Sequence, residues 1–163
     1  SYSDHEQSWR SADLHAGLES TINIVWNELK YKVTLERNYG KLPLVQCRLS
    51  ELNQVFMNML LNASQAIVER GTITLSTGVE GSEVWVQFED TGQGMTEEVR
   101  QSIFDPFFTT KPVGSGTGLC LSISYGIAQS YNGRIEVHST PGAGSCFRTT
   151  LPIYQPDLPD LTG

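Results

Sequence analysis

The chain has 163 residues, 39% of them hydrophobic and 18% charged, which suits one globular domain with a sizeable core and excludes the disordered and fibrous classes. Its 11 basic and 18 acidic residues give a net charge of −7, so the broad positive footprint of a general nucleic-acid binder is missing and any phosphate site must be local. Cys47, Cys120 and Cys146 are odd in number and lack CxxC spacing, which argues against a disulfide framework or a zinc site and for a reducing compartment.

No apolar run approaches membrane-spanning length and no signal-peptide pattern opens the chain, so the stretch reads as soluble and cytoplasmic. Residues 1–10 are polar and aperiodic and read as a tail. Leu14, Leu18, Ile22, Val25 and Leu29 then recur on one face of an amphipathic helix, with Ser11 or Asp13 as its cap. Lys32 to Asn38 alternates Val33 and Leu35 with polar residues, and Leu44-Val45 follows Pro43, giving two short strand candidates.

The longest periodic element runs from Ser50, a candidate cap, to Arg70, with Leu52, Val55, Phe56, Met59, Leu60, Ala63 and Ile67 on a wide apolar face. At about 100° per residue, Glu51, Gln54, Asn58, Asn62, Gln65 and Glu69 fall in one narrow stripe with apolar borders. Solvated helix faces are usually broad and charged, whereas a stripe of amides points to a partly buried polar cleft that needs a ligand or bound water. The alternative is amides satisfied by neighbouring backbone.

Thr72 to Val79 and Glu83 to Glu89 alternate like strands around a turn at Gly78 to Gly81, a hairpin that delivers Asp90 to a sheet end. Asp90-Thr91-Gly92-Gln93-Gly94-Met95 then places a carboxylate beside bare glycine backbone, where a flat or anionic ligand can approach closely. Asp-x-Gly is also ordinary turn chemistry, so the turn alone decides nothing. Thr96 can cap a short helix, Glu97 to Ile103, and the aromatic cluster Phe104 to Phe108 follows around Pro106.

Gly114-Ser115-Gly116-Thr117-Gly118 feeds straight into a helical pattern of Leu119, Ile123, Ile127 and Tyr131 that stops at Asn132-Gly133. Free backbone N–H groups at a helix start favour phosphate, and a plain linker would not normally lead into a well-formed helix. Arg134 to His138 and Ser145 to Leu151 are strand candidates, with Ser145, Phe147, Thr149 and Leu151 on one face. The closing Pro- and Asp-rich residues 153–163 read as a tail, leaving residues 11–152 as the domain.

The amide helix, the Asp90 turn, the Phe104 to Phe108 cluster and the glycine run resemble, in order, the N, G1, F and G2 boxes of the histidine-kinase ATP-binding domain. That domain belongs to a wider ATPase superfamily shared with type II topoisomerases, a chaperone and a mismatch-repair protein. The resemblance implies an α+β (α/β) two-layer sandwich of the Bergerat type, a mixed, mostly antiparallel sheet of about five strands covered on one face by about three helices.

It further implies ATP and magnesium as cofactors. Asn62 would coordinate magnesium, and Asn58, one turn earlier, would assist phosphates or ordered water. Asp90 would accept a hydrogen bond from the adenine amino group, which guanine cannot supply, and Gly92, Gly94 and Met95 would shape that pocket. Phe107 and Phe108 would anchor a lid. Lys111 and the run of Gly114, Ser115, Gly116, Thr117, Gly118 and Leu119 would reach the triphosphate. Ser145 or Thr149 would touch adenine through water.

Two positions depart from the family pattern: Gln65 stands where many members carry a phosphate-directed lysine, and Cys120 replaces the last glycine of GTGLGL. The first shifts charge neutralisation onto magnesium and Lys111; Cys120 reads as a small packed residue. The resemblance implies partners as well: a histidine-bearing dimerisation domain of the same protein and a downstream response regulator. This fragment would be monomeric and the full protein a homodimer, with room elsewhere in that protein for an inner-membrane anchor. His5-Glu6 lies in a segment without proline or apolar period, and His15 and His138 read as surface or packing residues, so no phosphoacceptor is assigned. The rival readings are a nucleotide-sensing domain that transfers no phosphate and an ATPase clamp of the topoisomerase or chaperone kind.

Overall fold

The computed structural model describes residues 8–106, 108 and 120–155. Strand β1 (Arg10–Ala12) pairs antiparallel with β3 (Val45–Cys47) in a small ribbon, so part of the expected polar tail is ordered by a distant partner. Helix α1 (Leu14–Leu29) starts at Asp13, whose carboxylate accepts the His15 N–H, while Ser11 belongs to the ribbon. Its five periodic apolar residues are all buried.

Helix α2 (Leu49–Ala66) differs from its expected span at both ends. The cap position is Arg48, not Ser50, and it has no side-chain cap of its own. Tyr131 substitutes: its hydroxyl accepts the Arg48 N–H at 2.9 Å and donates to Glu51 at 3.2 Å, bridging the two residues that a capping box would join directly. The other end stops at Ala66 although no glycine or proline stands there, because the Gln93 N–H takes the Ala66 carbonyl and the Lys32 ammonium takes that of Ile67. Glu69 therefore leaves the amide stripe.

The main sheet has the order β2 (Val33–Tyr39), β4 (Gly71–Glu80), β5 (Glu83–Asp90), β7 (Ser145–Pro152), β6 (Arg134–Ser139), with only the β2–β4 pair parallel. Strand β4 continues through Gly78, so the hairpin turn is the two residues Gly81-Ser82, tighter than expected. Gly78 is needed inside the strand because the Trp85 ring lies across it, 2.5 Å from where a Cβ would stand.

Register stacks the inward side chains into lateral rows. Leu75, Phe88, Phe147 and Val137 form one, and Thr77, Val86, Thr149 and Ile135 the next. These rows meet α1, α2 and helix α4 (Cys120–Ser130), which lie on one face of the sheet, as the two-layer expectation requires. Short helix α3 (Glu97–Ser102) begins at Thr96, whose hydroxyl accepts the Val99 N–H.

The inward face of α4 corrects the expected pattern. Ser124, Ala128 and Tyr131 are buried, whereas Ile123 is 47% exposed. Small residues let α4 come close to α2, where polar groups join the two helices. Beyond Leu151 the packed body continues through buried Ile153 and Gln155; the Gln155 N–H binds the Gln46 side chain and its amide donates to the Tyr131 carbonyl. Trp9 packs on Tyr131 with the Arg48 guanidinium over its ring. No helix among the described residues is long and apolar enough to cross a membrane.

Candidate functional site

Asp90 ends β5 on the covered face, in a lateral row with Leu35, Ile73, Ser145 and Ser139. It is 3% exposed. Oδ1 accepts N–H groups from Gly92 at 2.8 Å and Ser145 at 3.3 Å, while Oδ2 is buried with no hydrogen-bond partner. Burial raises the pKa of this carboxyl, the two backbone donors oppose the rise, and nearby Glu89 adds to it. A buried acceptor without a donor costs about 1–3 kcal/mol, so Oδ2 marks a place where a ligand N–H would be stabilising.

The glycines around Asp90 are points of close approach between segments of the chain. A Cβ on Gly92 would stand 2.4 Å from the Ala66 carbonyl oxygen, and one on Gly94, at φ +70°, would stand 1.9 Å from that of Thr140. Gly144, at φ +87°, presses in the same way on the Asp90 carbonyl oxygen, 2.0 Å from its would-be Cβ. The bare backbone thus admits other segments of this protein: three glycines form a seam joining the end of α2, the Asp90 turn and the β6–β7 turn. The seam shapes the pocket indirectly, by fixing where Asp90 sits. Met95 donates its N–H to Ser139 Oγ at 2.7 Å, and Ser139 and Ser145 share a hydrogen bond of 2.7 Å, so Ser145 is tied to the Asp90 end of the row.

Thr149 is not brought there. It pairs with Val86, four residues from Ser145 and about 13 Å further along at the usual rise per strand residue. Its hydroxyl is buried without a partner.

On α2 the best-buried amide of the stripe, Asn58, meets the alternative stated for it, being satisfied by its neighbours. Asn58 is 4% exposed and Asn62, one turn later, is half-buried. The Asn58 amide nitrogen donates to the Cys120 carbonyl at 2.9 Å and to Ser124 Oγ at 3.0 Å, and its oxygen accepts from Gln54 at 2.8 Å. Both of its N–H bonds are thus engaged within the chain. Phe104 belongs to the core, stacked on Tyr125 and edge-on to Phe147. Phe108 is half-buried, its N–H on the Asp105 carbonyl. Phe107, Lys111 and Gly114 to Leu119 lie outside the described residues.

Sequence reasoning missed Ser124, Ser139 and Tyr131. For Ser124 a signal existed: Leu121, Ser124, Ala128 and Tyr131 follow helical spacing as well as the Ile123 series does, with a hydroxyl at the centre. Ser139 and Tyr131 gave none, since each acts through a register or a contact that only the folded chain creates.

A family model described as "Histidine kinase-, DNA gyrase B-, and HSP90-like ATPase" matches residues 48–155, the span holding the amide helix, the Asp90 turn and the glycine seam. The chain belongs to this ATPase family. Within it, this ATPase domain is similar to sensor histidine kinases. It is 38% identical over 152 residues to the signal transduction histidine-protein kinase AtoS of Escherichia coli (strain K12), covering 91% of this chain and 24% of that kinase. The domain therefore spans about a quarter of that relative's length. The catalytic domain of the histidine kinase ThkA superposes with a TM-score of 0.80 at 26% identity, covering 90% of this chain and 96% of that one. ThkA in complex with the response regulator protein TrrA superposes with a TM-score of 0.78 at 23% identity, covering 92% of this chain and 43% of that one, a likeness of fold. The ATPase domain is thus a histidine-kinase type of ATP-binding domain, and the expected Bergerat-type architecture holds.

Proposed function

We propose that this domain binds Mg·ATP and presents the γ-phosphoryl group to a histidine on a dimerisation domain of the same protein, whose phosphate then passes to a response regulator. The observation that carries the reading is the unpartnered, buried Asp90 Oδ2. Adenine offers an amino N–H to such an acceptor, whereas guanine presents a carbonyl oxygen, which a carboxylate repels. Asp90 thus selects the base, with Gly92 and Ser145 holding its other oxygen and Ser145 close enough to reach adenine through water.

Phosphoryl transfer needs alignment and charge neutralisation more than a covalent protein group. Magnesium, when bound, would neutralise charge on the phosphates. The donor set that would hold it is one amide oxygen, from half-buried Asn62 on α2, together with the phosphates, and magnesium takes oxygen ligands and keeps several of its waters. Lys111 and the residues Gly114 to Leu119 would hold the triphosphate, with Phe107 and Phe108 as anchors of the lid. The general base for the acceptor histidine would come from its own domain.

The test is binding of an ATP analogue with and without magnesium to wild type, Asn62→Ala and Asp90→Ala, followed by phosphotransfer to an added histidine-bearing dimerisation domain. Both substitutions should weaken binding, Asn62→Ala only when magnesium is present. Equal binding by all three proteins would overturn the site assignment. Normal binding without transfer to the cognate domain would leave a nucleotide sensor in its place.

A further inference from the structure

The contacts of Asn58 fix which way its amide is turned. Its nitrogen faces the Cys120 carbonyl oxygen, which can only accept, so the oxygen must be the end that faces Gln54. Ser124 completes the arrangement from α4. It is wholly buried, donates its hydroxyl proton to the same Cys120 carbonyl at 3.0 Å, and keeps a lone pair for the second N–H of Asn58. Gln54, the other partner of Asn58 among the described residues, is an exposed side chain that a ligand can displace. What Asn58 presents outward is therefore an acceptor.

We propose that Ser124 is a positioning residue for nucleotide binding, holding Asn58 with its amide oxygen outward so that Asn58 serves the metal side of Mg·ATP and not the phosphate oxygens. Phosphate oxygens are acceptors and find nothing in that oxygen, whereas a metal-bound water is a donor and does. Helical side chains lean toward the helix N-terminus, so the head group of Asn62 lies over the turn that carries Asn58. Asn58 and Asn62 stand one turn apart along α2, and the inference rests on the Mg·ATP reading above. Packing alone does not ask for a hydroxyl at residue 124, since an apolar residue would fill the helix contact; the second N–H of Asn58 does.

The test compares Ser124→Thr with Ser124→Val, whose side chains share one shape and differ in the hydroxyl, each titrated with ATP in magnesium and in chelator. The valine variant should lose about three- to tenfold in affinity relative to the threonine variant when magnesium is present, and the two should match when it is chelated. In nucleotide-free protein, the Asn58 side-chain NH2 resonances should be protected from exchange in the threonine variant and lose protection in the valine variant. A loss of equal size in both conditions, or no difference between the variants, overturns the proposal. A wild type whose ATP affinity gains nothing from magnesium overturns the Mg·ATP reading itself, a result visible before any variant is made.

Discussion

Asp90 carries two liabilities in one side chain: its charge is buried, and one of its oxygens has no donor. Burial raises its folded pKa above the ordinary carboxylate value, so between those two values the folded chain binds more protons than the unfolded one. Stability contributed by this group is therefore present below the unfolded pKa and declines as pH rises through the folded one. Asp90→Asn keeps an oxygen for Gly92 and Ser145 and should remove that decline, which urea unfolding at a series of pH values will show as a flatter profile than wild type. The same change turns an acceptor into a mixed group and should lower ATP affinity about 10- to 100-fold; undiminished binding would disprove the adenine contact. Thr149 offers the opposite case. Its orphaned hydroxyl sits among Val86 and Ile135, so Thr149→Val should raise stability by about 1 kcal/mol and leave ATP affinity unchanged, as thermal melts and titration will report.

The turns around Asp90 separate conformational need from spatial need. Gly142 has φ +80° with open space around it, whereas Gly144 has φ +87° and the Asp90 carbonyl against it. Gly142→Ala should cost about 1 kcal/mol, the left-handed penalty alone. Gly144→Ala should cost several times more and displace Asp90, abolishing ATP binding; equal losses in chemical denaturation would refute the seam. These turns also show what a sequence conveys. The hairpin, the alternation that turns Asp90 inward and the amide stripe were legible because they depend on local periodicity and turn chemistry. The packing of the glycines was not, since Asp-x-Gly-x-Gly reads the same whether or not a carbonyl such as that of Thr140 presses on its bare backbone. Ser50 as cap failed for a related reason: the hydroxyl that caps α2 comes from Tyr131, at the end of a different helix. The strand Arg10–Ala12 carried no signal because its hydrogen bonds are set by β3.

Across the whole molecule, the polar links run between segments far apart in sequence. Tyr131 joins the start of α2, Trp9 just ahead of β1 and Gln155 just beyond β7, while Asn58 and Ser124 tie the middle of α2 to the start of α4. The single parallel pair, β2 with β4, has a consequence in the order of events. Strands β4 and β5 are joined by two residues and can meet as soon as they exist. Strand β2 must wait until β3 and α2 have been laid down, because a parallel partner cannot be reached through a tight turn. Substitutions in β2 should accordingly act after the folding barrier and those in the hairpin before it. Val33→Ala, truncating a buried β2 side chain at about 2 kcal/mol, should speed unfolding and leave refolding nearly unchanged in stopped-flow measurements, whereas Phe88→Leu should slow refolding. A refolding rate that falls in full proportion for Val33→Ala would reverse that order. If it stands, the end of β5 that carries Asp90 takes shape before edge strand β2 joins the sheet on the far side of β4.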